Sequence, residues 1–217
     1  MPDLPLSSWL IFAGAWLAGS MAWSAPGLGP ISRARPDALD DANTETHDGG
    51  LLTPLLTRGQ ALRLLADVLI GAAVAFAALR LAPVATFLSV TAHGYIAVFL
   101  AALGQTWSPW RGFRGGSATP VLLGGLLVTW PWCMPMVLAV VMVVGLSTGY
   151  LTAAVVLAML ALPMLAWWTD QDVPRLVFCI AAATLVLVRS SPALLRAIRG
   201  EESRFSRLRL LLRLRRP

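Results

Sequence analysis

The stretch Arg111-Gly112-Phe113-Arg114-Gly115-Gly116-Ser117-Ala118-Thr119 is the part of this chain best suited to hold an anion. Glycines let the backbone approach an oxyanion closely. The first turn of a following helix offers N–H groups and the positive end of its dipole. Arg111 and Arg114 add charge and bidentate hydrogen bonds, so Arg114, Gly115, Gly116 and Ser117 read as a phosphate cradle. A glycine-rich turn at a membrane interface, flanked by arginines, has the same composition, and both readings stand. Near the end of the chain, Arg189 and Arg196 are spaced to reach the same anion if the last helix returns to that side.

Two further polar groups sit inside apolar runs, where an ionisable side chain is costly without a partner or a task. Asp67 has Arg63 one turn before it on the same helical face, which suggests a local ion pair. His93 stands alone in its run, as either a packing residue or a group supporting the site.

These residues must be positioned by a membrane body. Of 217 residues, 57% are hydrophobic and only 13% charged, and the mean hydropathy is +0.71. Soluble domains carry about 25% charged residues. The formal charge is +6, from 17 basic and 11 acidic residues, and every basic residue is Arg. With no Lys, Schiff-base chemistry and a lysine phosphate clamp are excluded. Cys133 and Cys179 both lie in apolar runs, which argues against a disulfide framework or a zinc site, and no metal or cofactor is expected. Nine of the 17 arginines fall between Arg189 and Arg216. Behind apolar segments, such a tail suits anionic lipid rather than nucleic acid.

A bilayer core of about 30 Å takes about 20 apolar residues per helix. The apolar runs are Leu6–Ser24, Ala61–Ala82, Val84–Gly104, Ala118–Ser147, Leu151–Thr169 and Val173–Arg189. Pro131 and Pro135 divide the fourth into Thr119–Trp130 and Trp132–Ser147, giving seven segments, with six as the alternative. The arginine bias favours seven, because Arg33, Arg35, Arg58, Arg111, Arg114 and the tail then share the cytoplasmic side. The N-terminus is then outside and the C-terminus inside. The fold expectation is therefore an all-α polytopic membrane helix bundle over 1–190, with a basic cytoplasmic tail over 191–217.

The polar 25–60 loop, acidic from Asp37 to Gly50, reads as a flexible loop or lid. Ala22-Trp23-Ser24-Ala25 resembles a signal-peptidase site, but Asp3 and the absence of positive charge before the apolar run favour an anchor. Beyond Phe205, the alternation of Arg and Leu to Arg216 suits a helix lying on the inner leaflet.

The ordered set of motifs resembles the bacterial acyl-phosphate–glycerol-3-phosphate acyltransferases of the PlsY type. Ala92-His93-Gly94-Tyr95-Ile96-Ala97-Val98-Phe99 resembles the family's Gly-His-x-Phe-Pro-Val-Phe stretch. Phe113-Arg114-Gly115-Gly116-Ser117-Ala118-Thr119 resembles Phe-Lys-Gly-Gly-Lys-Gly-Val-Ala-Thr. Arg189 to Phe205 is similar to Arg-His-x-x-Asn-Ile-x-Arg-Leu-Leu-x-Gly-Thr-Glu-x-x-Phe, keeping Arg189, Arg196, Gly200, Glu202 and Phe205. Asp67 to Gly71 resembles Asp-Ile-Leu-Lys-Gly, Gly19-Ser20 a Gly-Ser pair ending the first helix, and Thr148 to Thr152 a Thr-Arg-Tyr-Val-Ser stretch. The departures are Ser117 where the family has Lys, Ser190 where it has His and Ala193 where it has Asn. A first motif, Gly-Ser-Gly-Asn-x-Gly-Ala-Thr-Asn-Val-Leu-Arg, has no counterpart between Ile31 and Gln60. A spacer, Leu100–Gly112, also parts two motifs that are nearly adjacent in the family.

The resemblance implies acyl transfer from acyl phosphate to glycerol 3-phosphate, giving lysophosphatidate for phospholipid synthesis in the bacterial plasma membrane. Arg114, Gly115, Gly116, Ser117, Arg189 and Arg196 would hold the substrate phosphates, with His93 and Glu202 supporting. The missing Lys, His and Asn leave a second expectation beside it, a non-catalytic relative that holds lipid or a partner.

Overall fold

In apolar surroundings every backbone N–H and C=O needs a partner within its own segment, and the helix provides it. The computed structural model describes residues 5–22, 58–83, 88–109, 116–148, 151–169 and 172–198. Among them are seven helices and no strand: α1 (Leu6–Ala22), α2 (Arg58–Leu81), α3 (Val90–Thr106), α4 (Thr119–Thr129), α5 (Cys133–Thr148), α6 (Leu151–Thr169) and α7 (Val173–Ile198). The side chains at 58–61, 63, 148, 151–152 and 192–198 are outside that description. The acidic loop and the tail beyond Ile198 are outside the described residues.

The expected division of the long apolar run is present. α4 stops at Thr129, Cys133 N–H donates to the Trp130 carbonyl across the Pro131–Trp132 turn, and α5 begins. α3 starts where Ser89, in extended conformation, turns its hydroxyl onto the Ala92 N–H at 3.1 Å. α7 runs nine residues past Arg189, through Pro192, to Ile198.

α2 and α7 contain stretches, Leu64–Leu81 and Val173–Ser191, long and apolar enough to cross a membrane, whereas the other apolar helices are shorter. Hydroxyls along the helices turn back on the carbonyl a turn behind. Thr106 reaches Ala102, Thr129 reaches Gly125 and Thr184 reaches Ile180, at 2.8 to 3.0 Å. This is how a hydroxyl finds a partner where water is scarce.

The centre is built from α3 and α4 with α1 and α2 laid against them, and α5, α6 and α7 complete the bundle. Two close crossings set the spacing. Gly19 of α1 lies against the Ala101 carbonyl of α3, while Gly104 of α3 lies against the Trp16 carbonyl of α1. Gly71 of α2 lies against the Val121 carbonyl of α4, and Gly124 of α4 against the Val68 carbonyl of α2. Each crossing is reciprocal, glycine against backbone in both directions. Only a missing Cβ allows two helix backbones so near. α4 is correspondingly enclosed, with Val121, Leu122 and Leu126 wholly buried, whereas Trp132, Met164 and Trp168 project outward as a lipid-facing surface requires.

A Cβ at Gly104 or Gly124 would strike backbone, which cannot swing aside. Gly104→Val and Gly124→Val should each destabilise the folded protein by about 1–3 kcal/mol or more. Gly14, with open space where its Cβ would lie, should accept Ala with unchanged or slightly raised stability. Thermal unfolding in detergent micelles checks both, and a tolerated Gly124→Val would contradict the crossing.

Candidate functional site

The two ends of the bundle treat their polar groups differently. At one end, where α1 and α3 begin, the His93 ring is fully buried and both nitrogens are occupied. Nδ1 lies 3.0 Å from the Ser89 carbonyl, which can only accept, so Nδ1 carries the proton. Nε2 lies 3.0 Å from the Ser8 hydroxyl of α1 and, in the neutral ring, accepts from it. Phe12 stacks on the ring with centroids 5.7 Å apart. The same end holds Arg175, which donates Nε–H to the Tyr95 hydroxyl at 3.0 Å while its guanidinium covers the Trp130 ring at 4.7 Å. These contacts tie α1 to α3, and α3 and α4 to α7.

The other end, where α1 and α3 finish and α4 begins, gathers buried polar side chains of its own, among them Ser20, Gln105, Thr106 and Ser108. Ser108 donates its hydroxyl to the Ser20 carbonyl at 3.0 Å, joining α1 to the chain after α3. Gly116 N–H donates to the Gln105 carbonyl at 3.1 Å, which closes the turn between α3 and α4 and brings Ser117 back beside the end of α3. Ser117, exposed, hydrogen-bonds Thr119 through its side chain. At the head of α4 the Thr119 N–H donates to the Ser117 hydroxyl at 3.4 Å, and Pro120 in the first turn has no N–H to offer. The helix terminus therefore has fewer donors for an anion than the sequence pattern suggests. The glycine-rich turn also spends its Gly116 N–H on holding itself in place.

Asp67 belongs to the same end. It is buried, and it precedes Gly71 by one turn on the face that meets α4, at the level of α4's opening turn. Its expected partner Arg63 has a side chain outside the described residues. Arg189 reaches this end through α7: Tyr95 of α3 packs on Phe178 of α7 at 5.0 Å, and similar distances farther along both helices lead to Gln105 and to Arg189. Of the other expected residues, Arg111, Arg114, Gly115 and Glu202 lie outside the described residues. Arg196 is placed only by the backbone of α7.

The structure separates His93 from this end. Twelve residues of helix, about 18 Å, lie between it and Gln105. The expectation that His93 supports the phosphate-holding residues is corrected accordingly, because its ring faces Ser8 and Phe12 at the opposite end. The sequence carried a signal for the better placement in the Leu100–Gly112 spacer. That spacer contains a second glycine followed by a polar residue, Gly104-Gln105, nearer the glycine-rich motif. Gln105 is the residue that sequence reading missed.

If His93 is a tether, its loss is a matter of stability. Ser8→Ala should lower stability by about 1–3 kcal/mol by orphaning a buried nitrogen. The pair Ser8→Ala with His93→Phe should cost less than the sum of the two single changes. The quantities to measure are unfolding midpoints in detergent and the steady-state kinetics. A specific loss of kcat with stability unchanged would return His93 to the site.

A family model described as glycerol-3-phosphate acyltransferase matches residues 55–200. The glycerol-3-phosphate acyltransferase of Shewanella halifaxensis is 30% identical over 203 residues, covering 91% of this chain and 94% of that protein. That of Shewanella oneidensis is 28% identical over 210 residues, covering 96% and 98%. Two crystal structures of PlsY, an integral membrane glycerol 3-phosphate acyltransferase, share the fold. The glycerol 3-phosphate form gives a TM-score of 0.70 at 19% identity over 94% of this chain and 98% of that one. The lysophosphatidic acid form gives 0.71 at 18% identity over 95% and 99%. With its helix order, and with that family model matching residues 55–200, from α2 to the end of α7, this chain belongs to the glycerol-3-phosphate acyltransferase family of bacterial integral membrane proteins.

Proposed function

We propose that the protein transfers an acyl group from acyl phosphate to glycerol 3-phosphate. The glycerol 1-hydroxyl attacks the acyl carbon, the bond from that carbon to the phosphate oxygen breaks, and the hydroxyl proton leaves with inorganic phosphate. Lysophosphatidate remains. The observation that carries this reading is the family match over residues 55–200, which includes the whole α3–α4 turn and the arginines of α7.

Both substrates bring phosphate, so the site's first task is to hold two anions in register, and its second is to stabilise the oxyanion formed on attack. In this chain the cations for that task are guanidiniums. Arg114 precedes the Gly115-Gly116 pair, and Arg189 and Arg196 lie on α7. A guanidinium binds a phosphate edge with two parallel hydrogen bonds, which a lysine cannot do. Ser117, Ser190 and Ala193 stand where the family pattern has Lys, His and Asn, so the arginines carry more of the anion binding here. Glu202 would support the tail beyond α7.

We further propose seven spans in the bacterial inner membrane, with the N-terminus outside, a membrane domain over 1–190 and a basic cytoplasmic tail over 191–217. Arg33, Arg35, Arg58, Arg111, Arg114 and the tail then share the cytoplasmic side, against Arg80 and Arg175 at the other. Exposed tryptophans support two interfaces: Trp9, Trp132, Trp167 and Trp168 lie at the outer end, and Trp107 at the inner.

Purified protein in detergent, given palmitoyl phosphate and labelled glycerol 3-phosphate, should form lysophosphatidate above a heat-killed control. Arg189→Ala and Arg114→Ala should each lower kcat/KM by about 10²-fold or more. No product, at protein levels where a member with all motif residues turns over fully, would turn the reading to a lipid- or partner-holding relative. For topology, a reporter active only in the cytoplasm should work when fused after Pro217 and fail when fused before Met1. The opposite pattern would overturn the orientation.

A further inference from the structure

Gln105 is wholly buried, and its side-chain Oε1 and Nε2 both lack a hydrogen-bond partner among the described residues. Burying an amide this way costs free energy unless something completes it. The neighbouring groups are committed elsewhere. Thr106 donates to Ala102, Ser108 donates to the Ser20 carbonyl, and the Gln105 carbonyl of the main chain already accepts from Gly116. The amide also has a direction. Val98, seven residues earlier on α3, packs against Gly125 of α4, and two turns along the same face bring Gln105 to the head of α4. That is the end where the glycine-rich turn returns to α3.

An amide has one oxygen that accepts and a nitrogen that donates two protons. A phosphate oxyanion would satisfy the nitrogen and repel the oxygen. A hydroxyl satisfies both, donating to Oε1 and accepting from Nε2. Of the two substrates named above, only the acceptor carries hydroxyls. We propose that Gln105 is an acceptor-binding residue whose amide grips the secondary hydroxyl of glycerol 3-phosphate, presenting the primary hydroxyl for attack. The assignment rests on the acyl-transfer reading and extends it from phosphate binding to discrimination between acceptors.

Gln105→Leu tests it, with palmitoyl phosphate as donor and glycerol 3-phosphate compared with 3-hydroxypropyl phosphate, which lacks the secondary hydroxyl. The native protein should favour glycerol 3-phosphate in kcat/KM by about tenfold or more, the worth of a satisfied buried hydrogen bond. In Gln105→Leu that preference should fall to within about twofold, with the KM for palmitoyl phosphate held within about twofold. The melting temperature should stay the same or rise, because an unpartnered amide has been replaced by hydrocarbon. Gln105→His, which also offers one donor and one acceptor, should restore part of the preference.

A full preference retained in Gln105→Leu would overturn the proposal, as would equal losses on both acceptors and the donor. Failure of both Gln105→Leu and Gln105→Met to fold would overturn it too, since it would give the amide a structural task. If the native protein forms no lysophosphatidate, the acyl-transfer reading falls by itself, and melting temperatures decide the binding claim. Glycerol 3-phosphate should then raise the melting temperature of the native protein more than 3-hydroxypropyl phosphate does, with the difference absent in Gln105→Leu. No such difference in the native protein would sink the claim.

Discussion

The closeness of four helix backbones is the constraint on which the rest depends. Gly19 against Ala101, Gly104 against Trp16, Gly71 against Val121 and Gly124 against Val68 let α1 meet α3, and α2 meet α4, without side chains between them. Hydrocarbon gives packed helices little hydrophobic reason to associate, because lipid tails are as apolar as leucine; contact area and shape must supply the attraction. A short helix such as α4, eleven residues and about 16 Å long, makes few contacts of its own, so it needs neighbours at minimum distance. Its enclosure fixes the level at which Gly116 meets Gln105, and so the floor of the site.

Two conditions of a membrane interior shape the chemistry at the two ends. A polar group must find a partner, and a charge must sit where something answers it. The end holding His93 and Arg175 meets both: the imidazole is bonded on each nitrogen, and the guanidinium has a hydroxyl and an aromatic face. Such an arrangement is spent on holding helices together. At the opposite end, among the described residues, the Gln105 amide is left unspent, and α7 brings Arg189 toward that end. Binding a soluble anion requires that kind of incompleteness, since whatever completes the site is then the ligand.

The helices were legible because a long apolar run in a chain this poor in charge has few alternatives. The six runs, with the fourth divided at Pro131, correspond to α1 through α7, with ends displaced by a few residues. The larger displacements have local causes. Ser89 caps α3, so that helix starts at Val90 rather than Val84, and α7 keeps its ladder beyond Arg189 as far as Ile198. Hydropathy reports which segments are apolar and not which face of each meets a partner. The glycine crossings were therefore invisible in advance, although Gly19 and Gly71 had stood out by resemblance. His93 drew attention because an ionisable residue in an apolar run is conspicuous, whereas Gln105 carries no charge and passes as one more uncharged residue.

That asymmetry bears on how a site of this kind is found. Inside a membrane, conspicuousness in the sequence and availability in the structure are nearly opposite properties. An ionisable group survives there by being satisfied, and satisfaction removes it from chemistry, as Ser8 and the Ser89 carbonyl do for His93. A neutral amide costs less to bury and can be left open, so it is the group a binding pocket can keep in reserve. The Gln105 amide offers a donor and an acceptor without titrating. With no Lys in the chain, the site proposed above would rest on hydrogen-bonding geometry around guanidinium charge, with fewer groups that change protonation near neutral pH.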